Sequence, residues 1–458
     1  MNLCYKYPVL YWDCANLIVA AGSIEGTEGE STNYAKVAGL IGSIQKTGTK
    51  IVPPDVNKAE FSFQVDADKN EIVFALKSLN GINDEMANAI VRNRPYTSMQ
   101  DFIDKNQEII KKTAMLKLIK AGCFNNLLGL SAHDVMIQYI QSYLWSPVEK
   151  LTLAQLKRIM IMHMKQAFIP EEVLHAISLK NFYSSVIQDR PYKLFVDPSK
   201  KALKRGYHDR YFKLNDTQQQ IFVENYTEDS VVEVVSGKYV ISEKLFEKET
   251  KEKLQELTEW LSKDSTIEEY NRRTFQELWD QYASGTKEDW DMETMCCYPE
   301  KHALADMDDE LYGIIDFNEL PEDPVSYDDV SYVKYENGNR IHRSVPKYDI
   351  VRIAGTVVEK NKDKHKIVLL TKTGVVTVKF NKNAFLEYDR AIAATECEEK
   401  DSSWFTRGTK LMIAGYRRQS EFRACIYKDT IYKQVINRIK EVNEDGTVKV
   451  EIERRIDG

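Results

Sequence analysis

The sequence predicts an α+β chain whose N-terminal two thirds are mostly helical and whose C-terminal part closes into a small five-stranded β-barrel. Two observations carry this reading. Apolar residues recur at helical spacing before residue 285, as in Tyr34 to Gln45, where Val37, Leu40, Ile41 and Ile44 form one stripe that ends at Gly48. Five short strand-like runs crowd into residues 350–427, with one helical insert between the third and fourth. Charge also changes sharply. Residues 285–336 hold sixteen Asp and Glu against three Lys, whereas residues 350–440 hold nineteen Lys and Arg against ten Asp and Glu. The overall charge of −7 over 458 residues thus conceals an acidic stretch beside a basic module, fields that concern partners more than fold.

Residues 1–60 read as the end of a helical region. Within them Ile51 to Asn57 (IVPPDVN) must be extended, because a residue before proline is pushed out of the α region. Residues 61–130 begin with a hairpin from Phe61 to Ala75 that turns at Asp66 to Asn70. They continue into Leu79 to Ile90 (LNGINDEMANAI), which reads as helix, tight turn and helix with Ala87, Ile90 and Val91 facing inward. This is a helix-hairpin-helix element. Its turn, Gly81, Ile82, Asn83 and Asp84, exposes successive backbone N–H groups and the positive end of the second helix, which together hold a DNA phosphate without reading sequence. Asn83 stands where a second glycine is usual, and Asn tolerates the left-handed conformation better than most residues. A related half-motif, Leu118 to Phe124 (LIKAGCF), adds Lys120 and Gly122. The alternative is an αα-hairpin with a glycine cap.

Residues 131–284 are expected to be a mainly helical connector. It includes Leu153 to Phe168, whose Met160, Met162 and Met164 read as core filler. A basic segment at 190–213 carries eight basic and two acidic residues, Val231 to Ile241 is strand-like, and Leu245 to Tyr282 is a charged amphipathic helical stretch. Gln218, Ile221 and Phe222 have the spacing of a peptide by which replication proteins hook onto a sliding clamp; the alternative is an amphipathic structural segment. Residues 285–346 are expected to be an acidic linker. Asp289 with Asp291, and Asp306 with Asp308, invite a metal hypothesis, but neither pair sits between strand-like runs that would hold carboxylates rigidly. The run Asp306 to Glu310 also fails the EF-hand pattern, with Leu311 at the glycine position and Phe317 at the twelfth. A solvated acidic face is the better reading, and no metal ligand is assigned.

The barrel occupies 347–434, with strand-like runs at Ile350–Val358, Lys366–Leu370, Val375–Phe380, Lys410–Tyr416 and Phe422–Tyr427 and a helix at Ala384–Ala394. That order is the order of an OB-fold, which binds oligonucleotides on the face of its middle strands. Lys366, Lys379, Arg417, Arg418 and Arg423 are interleaved with Phe380, Tyr416, Phe422 and Tyr427. Cations that track a backbone beside aromatic faces suit single-stranded nucleic acid, where stacking contributes about 1–3 kcal/mol per base. Strands alternate, so half of these rings must face the interior, and the cations carry more of the expectation. Residues 435–458 suggest a final hairpin turning at Glu444 to Gly446.

Composition narrows the classes. The seven cysteines are an odd, scattered set without a C-x-x-C pair, which reads as reduced thiols in a cytoplasm, and the seven histidines show no H-x-x-x-H. The near-apolar run Cys14 to Ala21 is too short to span a bilayer and lacks a basic flank, so neither a membrane span nor a signal peptide is expected. No Walker A loop, G-x-S-x-G or dinucleotide fingerprint occurs.

Together these pieces resemble one family, the C-family replicative DNA polymerases, meaning the bacterial DNA polymerase III alpha subunit and its phage relatives. Tyr7 to Trp12 (YPVLYW) is similar to a segment late in the family's fingers region, and Gly48 with IVPPDVN to its PPDIN signature. Glu71 to Ala89 with Pro95 to Phe102 (PYTSMQDF), then Leu118 to Leu127 (LIKAGCFNNL), resemble the stretch around its helix-hairpin-helix. Glu293 to Leu304 (ETMCCYPEKHAL) resembles the segment before its OB domain, with Ala303 where the family has proline. The resemblance implies that residues 1–60 end a fingers-like region, that the hairpin grips duplex behind the primer end, and that the barrel holds single-stranded template. It also implies that the palm and its three metal-binding carboxylates precede the matched segment. No catalytic residue and no cofactor are therefore expected in this chain, and Mg²⁺ is expected at the palm of a partner chain. The expectation is the DNA-binding C-terminal portion of a phage-type DNA-directed DNA polymerase acting in DNA replication. Its partners would be primer-template and single-stranded DNA, a catalytic half on a separate polypeptide, and a sliding clamp. It would work in the bacterial cytoplasm, the host's if phage-encoded, away from membranes. The alternative from another class is a non-enzymatic single-stranded-DNA-binding replication factor.

Overall fold

The structure, a computed structural model, describes residues 9–24, 29–155, 168–192, 210–391, 402–425 and 436–452. Tyr7, the three methionines of 160–164, most of the basic segment 190–213, Tyr427 and the last residues of the final hairpin lie outside them. The chain forms two units, residues 1–139 with 282–458, and residues 140–281.

The first unit opens with two helices, α1 (Val9–Ala21) and α2 (Tyr34–Lys46). The Asn33 side chain accepts the Lys36 N–H at 2.9 Å to start α2, and its stripe of Val37, Ile41 and Ile44 is buried. The proline-rich segment expected to be extended from Ile51 to Asn57 begins so, with Ile51 and Val52 in a strand, but Val56 and Asn57 lie in a turn whose Lys58 and Ala59 N–H groups donate to the Asp55 carbonyl. β1 (Lys50–Val52) lies parallel to β3 (Glu71–Val73), whose other edge takes β2 (Gln64–Asp66) antiparallel. Five short helices follow: α3 (Asp84–Arg92), α4 (Met99–Asn106), α5 (Lys112–Lys120), α6 (Asn125–Leu128) and α7 (Ala132–Tyr139). The helix expected before Gly81 is only a 3₁₀ turn, Leu76–Ser78. The Asn80 N–H donates to the Thr294 carbonyl at 2.7 Å and its Nδ2 to the Glu293 carbonyl at 2.9 Å, and Leu79 is extended. Tertiary partners thus draw the chain out of helical geometry there.

The second unit holds α8 (Glu171–Gln188), β4 (Tyr211–Lys213), α9 (Asp216–Asn225), β5 (Val231–Val235), β6 (Lys238–Ser242), α10 (Glu243–Lys253), α11 (Gln255–Ser262) and most of α12 (Asp264–Tyr282). Its sheet runs β4-β6-β5. One apolar cluster gathers Phe182, Phe212, Phe222, Tyr226 and Phe246; another gathers Val173, Ile177, Leu257, Trp260 and Tyr270.

The stretch 285–346, expected to be a linker, is folded. It carries α13 (Lys287–Thr294), α14 (Asp309–Tyr312) and a two-stranded hairpin, β7 (Ser326–Glu336) with β8 (Asn339–Tyr348). Trp290, Met292, Cys296, Cys297, Tyr298 and Leu304 are all buried. Net charge concealed them: a helix can place every carboxylate but one in partial contact with water while its apolar face enters a core. The exception is Asp291, 5 % exposed.

The barrel consists of β9 (Val351–Asn361), β10 (Lys366–Thr371), β11 (Gly374–Lys379), helix α15 (Lys382–Asp389), β12 (Lys410–Arg418) and β13 (Glu421–Ala424). Antiparallel pairs β9–β10, β10–β11, β9–β12 and β12–β13 close through the parallel pair β11–β13, so five strands with a helix between the third and fourth form the OB-like barrel. Alternate residues such as Ile353, Val357, Ile367, Val378, Ile413 and Phe422 fill its interior beside Trp404 and Phe405. Two glycines permit the closure. A Cβ on Gly415 would stand 2.1 Å from the Arg423 carbonyl oxygen, and one on Gly355 2.7 Å from that of Leu370. The final hairpin, β14 (Ile436–Val442) with β15 (Val448–Glu451), is not separate from the barrel: β14 pairs with the first half of β12 and extends the sheet.

Candidate nucleic-acid interface

The hairpin turn is built around Gly81, at φ +92°, a conformation that favours glycine. Ile82 is buried and anchors the turn from below. Asn83 does not use the left-handed conformation. At φ −93° and ψ 176° it is the N-cap of α3, and its side chain accepts the Met86 N–H at 2.9 Å. The backbone N–H groups of Gly81, Asn83, Asp84 and Glu85 find no acceptor among the described residues. Four donors at the positive end of a helix make an anion-holding surface. Asp84 is turned aside: its carboxylate pairs with Lys77 and accepts the Gly29 N–H at 2.9 Å, contacts that hold it below the usual carboxylate range against the opposing effect of burial.

The second half-motif differs from expectation. Gly122, at φ +79°, closes α5 by donating to the Ile119 carbonyl, while Cys123 donates to that of Leu118. This is a Schellman cap, so the Gly122 N–H is spent inside the protein. Lys120 is 8 % exposed rather than free. Its Nζ donates to Glu293 Oε2 at 2.7 Å, and Lys117 Nζ donates to Oε1 at 2.6 Å.

On the barrel, pairing sets Lys366 opposite Lys379, Lys379 opposite Arg423, and Arg423 opposite Tyr416. These four residues therefore form one row across four strands, on the face away from Ile367, Val378 and Phe422. The Tyr416 and Tyr348 rings pack at a tilt of 38° with centroids 4.5 Å apart, and Arg418, two residues along β12 from Tyr416, is exposed. Lys366 pairs with Glu421 and Lys379 donates to the Lys364 carbonyl, whereas Arg423 Nε is buried without a partner among the described residues. Arg417 is the exception in this set. It donates to the carbonyls of Phe317 (3.2 Å) and Leu320 (2.8 Å) and to Glu322 (3.0 Å), lies over the Phe317 ring, and closes one end of the barrel. Phe380 and Phe422 are interior. The fold brings Lys366, Lys379, Arg418 and Arg423 to one face and commits Arg417 elsewhere, because Arg417 stands opposite the interior Phe422 in the β12–β13 register.

The segment 289–304 joins hairpin and barrel, and sequence reasoning did not single out its residues for that role. Glu293 grips Lys117 and Lys120; against burial, those two lysines hold its carboxyl below the usual range. The Asp289 carboxylate takes Lys410 Nζ at 2.8 Å. Tyr298 Oη shares a hydrogen bond with Thr356 Oγ1 at 2.9 Å, and burial raises its phenol. His302 Nδ1 accepts the Leu304 N–H at 3.0 Å, which leaves Nε2 to donate to the Leu370 carbonyl at 3.0 Å. Burial lowers this imidazole to about 4 and raises Asp291, with Lys287 opposing from 3.9 Å, to about 7.

Between the turn and the barrel opens a cleft of about 560 Å³, lined by Asn80, Asp289 and Glu293 on one side and by residues 406–410 with Arg438, Ile439 and Lys440 on the other. Among the described residues no group of three or more His, Cys, Asp or Glu comes together to hold a metal ion. No helix among them is long and apolar enough to cross a membrane.

In the second unit, the expected clamp-binding residues are structural. Gln218 closes a capping box with Asn215 and donates to Asp189 at 2.7 Å; Phe222 is fully buried and stacked on Tyr226; Ile221 packs against the same core. A hook needs those apolar side chains outside, and folding spends them inside.

Residues 48–133 match the family model of the helix-hairpin-helix motif. Along 99 % of its length the chain is 35 % identical to a DNA-directed DNA polymerase of Bacillus phage SPbeta and, with the same figures, to the probable DNA polymerase YorL of Bacillus subtilis. The chain spans about a third (34 %) of the length of each. It is also 33 % identical over 95 residues, 20 % of this chain and 8 % of the relative, to the DNA polymerase III subunit alpha of Thermus aquaticus.

Proposed function

From the premise that this chain resembles, over nearly all its length, the C-terminal part of a phage-type DNA polymerase III alpha-like polymerase, we propose that it is a DNA-binding portion of a DNA-directed DNA polymerase acting in DNA replication. The observation that carries this reading is the presence, in one unit, of a hairpin turn with four unspent N–H donors and a barrel face with an ordered row of cations and tyrosine. The turn, through the N–H groups of Gly81, Asn83, Asp84 and Glu85, holds a duplex phosphate. Lys366, Lys379, Arg418 and Arg423 hold the backbone of single-stranded template, with Tyr416 offering a stacking surface. Lys120, Gly122 and Arg417 act by positioning these surfaces. Nucleotidyl transfer belongs to a palm on another chain, which binds Mg²⁺, and the pair works in the bacterial cytoplasm.

The test is fluorescence anisotropy with a primed template, a blunt duplex and a bare strand, followed by primer extension in Mg²⁺ with and without a palm-bearing polypeptide. The primed template should bind most tightly, and extension should require the partner. Extension by this chain alone refutes the separate-palm claim. Preference for the bare strand with no gain from a partner leaves a non-enzymatic single-strand-binding factor.

A further inference from the structure

We propose that the cleft between the hairpin turn and the β12–β14 edge of the barrel is a track for the phosphodiester backbone of a nucleic-acid strand passing from one surface to the other. The proposal rests on the DNA-binding reading above and adds Arg407, Lys410, Arg438 and Lys440 to it.

The lining has a division of labour. Its two carboxylates are already occupied by cations: Glu293 by Lys117 and Lys120, and Asp289 by Lys410. Paired carboxylates repel a phosphate little, and the ion pairs fix the wall that carries them. The opposite wall is cationic. Arg438 and Lys440 of β14 line it on either side of the largely buried Ile439, and Arg438 lies 3.7 Å from Glu451. Lys440 pairs with Glu451 at 2.8 Å yet keeps 44 % of its side chain exposed.

Arg407 supplies the independent observation. Its Nε donates to the Val358 carbonyl at 2.9 Å, and the guanidinium lies 4.7 Å from the Tyr34 ring centroid. These contacts fix the plane of the group, while both terminal nitrogens have no acceptor among the described residues. A guanidinium held by its inner edge, with its outer edge unspent in a polar cleft, is suited to a phosphate. Backbone contacts of this kind carry no sequence preference, as a polymerase segment needs.

A free nucleotide offers the same phosphate chemistry, so the test separates the two. The 458-residue chain is titrated with a primed template long enough to reach from turn to barrel and with a short single strand that covers the barrel face alone. The R438Q/K440Q double variant should bind the primed template about 20- to 60-fold more weakly near 0.1 M salt and flatten its salt dependence by about 1.4–1.8 log units per log salt. The short strand should change less than twofold. Primed template, and not dTTP, should protect Lys440 from acetylation. Unchanged binding of the primed template, equal loss on both probes, or protection by dTTP alone overturns the proposal. Should the double variant fail to fold, K440Q alone, on a half-exposed side chain, should give about 5- to 8-fold on the primed template, and no change there overturns the proposal equally. Wild-type chain that binds neither probe refutes the DNA-binding reading instead.

Discussion

Asp291 and His302 lie on one segment but respond oppositely to acid, and their removal should unmask two opposed pH dependences. The Asp291 carboxyl is buried and its one nearby cation, Lys287, is shared with Glu300 at 2.9 Å. Burial raises its folded pKa from 3.8 to about 7. Its favourable contribution is therefore complete below about pH 4 and is lost as pH rises through 7. At about 1.36 kcal/mol for each pH unit between folded and unfolded titration, the loss is about 4 kcal/mol. For His302 burial lowers the folded pKa from 6.5 to about 4. Its contribution is complete above about pH 6.5 and is lost as pH falls through 4, a change of about 3 kcal/mol. In the wild-type chain the two nearly cancel between pH 4 and 7. Urea unfolding at half-unit pH steps, followed by near-UV circular dichroism, gives the stability of each variant minus wild type, in which all other groups cancel. Asp291→Asn should gain about 4 kcal/mol on wild type from pH 4 to 7, and His302→Gln should lose about 3 kcal/mol from pH 4 to 6.5. Flat difference curves for both would refute the assignment of these two groups as buried and opposed.

Three further outcomes are expected. Glu293→Gln leaves Lys120 buried beside a neutral partner and should cost about 2–4 kcal/mol in urea unfolding, discounted for the 37 % exposure of Glu293; a double-mutant cycle with Lys120→Met that shows coupling below about 0.5 kcal/mol would contradict the clasp. Phe222→Ala should destabilise the second unit by about 3–5 kcal/mol, measured by hydrogen exchange of β6 amides, because it empties the centre of an aromatic cluster; a loss under 1 kcal/mol would restore the clamp-hook reading. Arg418→Gln and Arg423→Gln should each weaken binding of an oligo(dT) strand about 5-fold near 0.1 M salt with little change in unfolding midpoint, and an unchanged affinity would move the single-strand site off this face.

Much of the architecture was readable from local pattern. Strand and turn propensities placed the five barrel strands and the start of the intervening helix within a few residues, since each run carries its own alternation and most breaks carry a Gly or Asn, the Gln419-Ser420 turn being the exception. The hairpin turn was readable because Gly81 needs positive φ and α3 carries its own N-cap. Availability was not readable. Lys120, Arg417, Gln218 and Phe222 look free in sequence and are committed in the fold, to Glu293, to the carbonyls of 317 and 320, to Asp189 and to an aromatic core.

Local pattern sufficed to reveal a helix-hairpin-helix, a basic OB-like barrel and an acidic stretch before it, because propensity, spacing and charge act over a few residues. Tertiary structure decided that the acidic stretch is no linker but the clasp that sets the hairpin against the barrel, and that a cation-lined cleft lies between the two. The physical reason is range. Glu293 reaches Lys117 and Lys120 over more than 170 positions, and Asp289 reaches Lys410 over 121, so their partners exist only once the chain has folded.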